Sequence, residues 1–96
     1  MTDDVNTSEF DEQTELNYLR TTPVETVLGN HIFVLLQLGA VHLGSTPPNL
    51  TNAKLVIDTV SAMVSAVGDR LGENTSLYKA ALAELQQAFV RASTAS

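Results

Sequence analysis

The chain has no cysteine and no tryptophan. Without cysteine there is no disulfide framework, no thiolate metal ligand and no cysteine nucleophile. Aromatic residues make up only 5% of a sequence that is 44% hydrophobic, so a core must be built from Ala, Val, Leu and a few Ile and Met. Bases are scarce too: 5 Lys and Arg stand against 11 Asp and Glu, for a formal net charge of −6. The imbalance sits at one end. Asp3, Asp4, Glu9, Asp11, Glu12 and Glu15 against Arg20 give residues 1–20 a charge of −5. Glu25, Asp58, Asp69, Glu73 and Glu84 against Lys54, Arg70, Lys79 and Arg91 leave the body at −1. A nearly neutral body without a basic stripe speaks against a phosphate-binding, nucleic-acid role.

Catalytic signatures are missing as well. There is no nucleophile elbow, no glycine-rich phosphate loop and no close pair of core carboxylates, so no enzyme is expected. The acidic opening Met1-Thr2-Asp3-Asp4 lacks the basic and apolar segments of a secretory signal, and a cytoplasmic protein is expected.

What is present is helical patterning, within a length of 96 residues that suits one domain. Residues 1–20 are polar and acidic, with apolar side chains only at Val5, Phe10, Leu16, Tyr18 and Leu19. Such a segment buries too little to offset its ordering entropy and reads as a mostly disordered acidic tail. Ser8 and Asp11 leave open a short capped helix that latches Phe10, Leu16 and Leu19 onto the body.

Thr22-Pro23-Val24-Glu25 then reads as an N-cap hydroxyl, a first-turn proline and a capping-box glutamate. The helix they open extends to Leu43, where Gly44 is expected to give a left-handed stop ahead of Pro47 and Pro48. It is apolar on nearly every face, with Thr26, Asn30 and Gln37 on one narrow polar stripe. A second helix starts from Asn49 or Thr51 and carries Leu50, Ala53, Ile57, Val60, Val64, Val67 and Leu71 as a heptad seam. Lys54 and Asp58 form an outer-face pair worth roughly 0.3–0.5 kcal/mol. Gly72 ends this helix, and Thr75 caps a third with Tyr78, Ala81, Leu82, Leu85, Ala88, Phe89 and Ala92 inward. Lys79, Glu84, Gln86, Gln87 and Arg91 face outward, and the last four residues are expected to fray.

The expected fold is all-α: a three-helix up-down bundle with helices over residues 23–43, 50–71 and 75–92. A core this small rarely supplies more than ~3–5 kcal/mol, and the first helix has more apolar surface than two neighbours cover. A homodimer through Val27, Leu28, Phe33, Leu35, Leu36 and Leu38 is therefore expected.

His31 and His42 are the only histidines. They point the same way but lie about 16 Å apart along a helix, too far to chelate one ion within a chain. A small-ligand or metal module around His31, His42 and Asn30 is the alternative function, and it needs a dimer interface. No cofactor is expected.

Residues 23–43 are also long enough to span a bilayer. The clean apolar stretch from Ile32 to Val41 is short and includes Gln37, and Asn30, His31 and His42 flank it, so a buried helix is expected and not a membrane span. Gly29 and Gly39 each cost up to ~1 kcal/mol against alanine and could admit a close neighbour. The tail could serve as an arm for a basic protein partner, or simply keep the chain soluble.

Three stretches carry a family likeness. Val41-His42-Leu43-Gly44 is followed by Asn49-Leu50, Ala53-Lys54 and Ile57-Asp58, then by Ala81-Leu82, Leu85-Gln86 and Ala88-Phe89. In order and spacing they resemble the actinobacterial branch of the domain of unknown function 1844 family, as does Thr22-Pro23-Val24-Glu25. The resemblance covers roughly residues 22–93. It implies a small, cytoplasmic, helical bacterial protein with no assigned activity, cofactor or catalytic residue, so no site residue carries over. The acidic extension is longer than that family suggests.

Overall fold

The computed structural model describes the backbone of residues 2–95 and the side chains of residues 11–95. It is all-helical. Four α-helices follow in order, α1 (Thr2–Thr21), α2 (Val24–Gly44), α3 (Leu50–Val67) and α4 (Thr75–Ala95), with a 3₁₀ turn (Gly68–Arg70) extending α3. Among the described residues there is no strand.

Helices α2, α3 and α4 pack on one another. Their shared core contains Ile32, Leu36, Val56, Ile57, Val60, Val64, Leu71, Tyr78, Leu82 and Leu85, with Ile32 and Val60 fully enclosed. The heptad positions of α3 supply most of its contribution: Ala53, Ile57, Val60, Val64 and Leu71 are buried, and Leu50 and Val67 are half-buried. Every residue expected inward on α4 is buried or half-buried, and its five expected outward residues are exposed. Asn49 caps α3 by accepting a 3.0 Å bond from the Asn52 amide. Lys54 Nζ lies 2.9 Å from Asp58 Oδ2, with both side chains over 60% exposed, so the pair contributes little.

The residues 1–20 segment departs from the expected disordered tail: its backbone is helical over Thr2–Thr21. The disorder argument counts only burial, whereas Glu12, Gln13, Glu15, Leu16 and Leu19 favour a helix locally and Arg20 complements its last turn. Twenty residues also exceed the length at which nucleation makes helices marginal. Among its described side chains burial is indeed absent. All side chains from Asp11 to Thr21 are exposed, including Leu16 and Leu19, so neither is latched onto the body. Ser8 and Phe10 lie outside the described side chains. Because α1 projects, the radius of gyration is 17.3 Å, against roughly 12–13 Å for a compact chain of this length.

Three helix ends differ in detail from expectation. Pro23 itself is the N-cap of α2 and no side chain caps it; its carbonyl accepts from Thr26 and Val27 at 3.0 and 3.2 Å. The Thr22 amide is instead drawn back to Tyr18 O, so the capping box does not close. Gly44 is not left-handed: Ser45 leaves α2 in an extended conformation, and Gly72 (φ 87°) is the residue with positive φ. Thr75 is the first residue of α4, and its hydroxyl turns back to Gly68 O at 2.6 Å and Gly72 O at 2.9 Å. Helix α4 continues to Ala95, and Thr94 Oγ1 bonds back to the Val90 and Arg91 carbonyls.

Gly44 has no atom within 4 Å of where a Cβ would stand. Gly44→Ala is therefore expected to raise stability by a few tenths to ~1 kcal/mol, read as a higher midpoint in thermal unfolding.

Candidate functional site

Helix α2 bears one charged residue, Glu25, and its mean composition is strongly apolar. Only one side of it meets α3 and α4, through Gly29, Ile32, Leu36 and Gly39. The two glycines settle what the sequence left open. A methyl at Gly29 would fall on the Tyr78 hydroxyl, and one at Gly39 would come within 2.8 Å of Leu85 Cδ2 and 3.4 Å of Val56 Cγ1. Both glycines thus admit neighbours from within the same chain.

The opposite side of α2 is apolar and uncovered. Val24, Val34, Leu38 and Val41 are exposed by 65, 60, 42 and 64%. With Val27 and His31 they fall at positions 24, 27, 31, 34, 38 and 41, alternating steps of three and four. That is a second heptad seam, facing away from the first. Leu28 and half-buried Leu35 widen it on one flank. The exposed apolar side chains present on the order of 400 Å², the size of the largest, often functional, patch on a typical monomer. The spacing was present in the sequence, but it was hidden because α2 is apolar on most other faces too.

The six residues expected at an interface divide. Leu28 and Leu38 are exposed, and Val27 and Leu35 are half-buried. Phe33 is 38% exposed and forms a T-shaped contact with Tyr78, ring centroids 5.2 Å apart at 78°. Leu36 is a correction: it is 8% exposed and belongs to the internal core, because it shares the inward side of α2 with Ile32 and Gly39.

The ligand candidates are not brought together within the chain. His31 is exposed and its Nδ1 lies 2.8 Å from Val27 O, within hydrogen-bond reach. Asn30 donates a long 3.5 Å bond to Tyr18 Oη. His42 is half-buried near the far end, where its carbonyl accepts from the Asn49 amide at 2.9 Å. Among the described residues no three His, Asp or Glu side chains are grouped to hold a metal ion.

No family model, curated protein or solved structure matches the chain. Besides the α2 face there is an open groove of about 580 Å³ between α2 and α4, floored by Leu36 and Leu85 and edged by Gln37, Glu84, Gln87 and Arg91. Its polar groups stand on the rim and none projects from the floor, unlike a site that orients a small molecule. By length and composition, α2 and the segment Leu50–Arg70, α3 with its 3₁₀ turn, are each long and apolar enough to cross a membrane.

Proposed function

We propose that this is a non-enzymatic, cytoplasmic helical protein that self-associates through α2 and, as a dimer, binds another protein. In this reading α2, α3 and α4 form a three-helix bundle and α1 is a projecting acidic arm. The observation that carries the reading is the uncovered heptad seam of Val24, Val27, His31, Val34, Leu38 and Val41. Isolated exposed apolar residues are ordinary, but Val24, Val34, Leu38 and Val41, exposed at coiled-coil spacing on one helix, support a pairing surface. Covering the seam and its Leu28 and Leu35 flank approaches the roughly 600 Å² per partner at which stable pairs begin.

The charge of the arm favours a basic protein as the further partner. The resemblance to the domain of unknown function 1844 family agrees with a small helical protein without catalytic residues. A membrane-spanning role for α2 fits less well, since His31 interrupts the outward seam and Asn30 and Gln37 lie beside it.

Light scattering on the purified full-length chain tests the proposal. At micromolar concentration the expected mass is twice the 10.3 kDa of one chain. A stable monomer would remove it.

A further inference from the structure

We infer that the second copy docks antiparallel, with the two α2 helices in full overlap and His31 of each facing Val34 of the other beside the two-fold axis. The inference rests on self-association through α2 and adds the partner's direction and register.

Charge selects a second copy as the occupant. From Thr26 to Gly44 there is no Asp, Glu, Lys or Arg, so a charged partner finds no counter-charge, whereas another α2 presents the same neutral apolar seam. Charge also selects the direction. Residues 1–20 carry −5 and lead directly into the N-terminal end of α2. A parallel pair would bring two such segments side by side. An antiparallel pair separates their attachment points by the length of α2, about 30 Å, several times the ~8 Å over which charges interact at physiological salt.

The seam then sets the register. Its residues are symmetric about a point between His31 and Val34, so a two-fold axis there pairs Val24 with Val41 and Val27 with Leu38 of the other copy. No seam residue is left without a partner. The same register keeps His31 about 12 Å along the axis from the other copy's His42, which does not assemble a His31–His42 metal site. One polar residue within an apolar seam is the usual device for fixing register, and here His31 holds that position.

Because the native chain lacks cysteine, single cysteines report the pairing without background. Val24→Cys and Val41→Cys both lie at exposed positions of α2. Each would be oxidised mildly, alone and mixed with an affinity-tagged form of the other, while the mass of the unmodified chain is followed by sedimentation. The expected result is a disulfide-linked dimer from the mixture, at least tenfold in excess over any formed by Val41→Cys alone. Efficient self-linking of Val41→Cys in a protein that sediments as a dimer would overturn the antiparallel arrangement while leaving self-association standing. A chain that sediments as a monomer would remove the self-association beneath it.

Discussion

Replacing Val34 and Leu38 together by glutamate is expected to give a folded monomer. Both side chains project from the uncovered side of α2, 60 and 42% exposed, and neither belongs to the core. The bundle therefore loses little, since substitutions at such positions normally stay within about 0.5 kcal/mol each, and glutamate favours a helix more than valine does. The dimer loses a great deal. Each interface would receive four carboxylates in an apolar seam, and burying even one unpaired charge is prohibitive. Dimerisation should weaken by at least about 100-fold, or ~3 kcal/mol. Sedimentation equilibrium measures this directly, with helical circular dichroism confirming that the monomer is folded. The native chain should melt at a temperature that rises with concentration, and the variant should not. An unchanged dimer would place the contact elsewhere.

Gly29→Ala is expected to act on the bundle itself. On an exposed helix this change would add up to ~1 kcal/mol of stability. Here the new methyl would fall on the hydroxyl of Tyr78, with Tyr78 Cζ at 2.9 Å as the next atom. Tyr78 is 3% exposed and braced by its T-shaped contact with Phe33, so it cannot swing aside freely. Overpacking of this kind costs typically ~1–3 kcal/mol, and urea unfolding should show a net loss of that order. Tyr78→Phe in the same chain removes the atom most in conflict. The pair should therefore be less destabilised than the sum of the single changes, by about 1 kcal/mol. Gly39→Ala should cost less than Gly29→Ala, because its nearest obstacle is the end of a flexible Leu85 side chain. Equal losses at the two glycines would contradict this account of their roles.

Much of the helix packing was legible in the sequence because α3 and α4 are cleanly two-sided. Asn49 and the three-and-four spacing from Ala53 to Leu71 specify one helix and its buried side. Tyr78, Leu82 and Leu85 against Lys79, Glu84 and Gln87 do the same for the other. Helix α2 resists such reading. With apolar residues almost all round, its sequence does not show that Ile32 and Leu36 face inward while Val34, Leu38 and Val41 face out. That choice comes from Gly29 and Gly39, which let Tyr78 and Leu85 approach on one side only. Leu36 was misplaced for this reason. The outward seam became visible once the inward residues were known. For residues 1–20 the sequence left a short capped helix open beside the disordered tail: composition speaks to burial, and the backbone here is helical without burying any side chain between Asp11 and Thr21.

The most direct test of the central claim is a dilution series followed through methyl resonances in nuclear magnetic resonance, from millimolar to low micromolar protein. If α2 pairs through its outer side, the methyls of Val24, Val34, Leu38 and Val41 shift together along one binding curve. Those of Ile32 and Val60, fully enclosed in the core, stay in place. Shifts confined to exposed apolar residues elsewhere, such as Leu77 and Val90 on α4, or no concentration dependence with a monomer's tumbling rate, would contradict it.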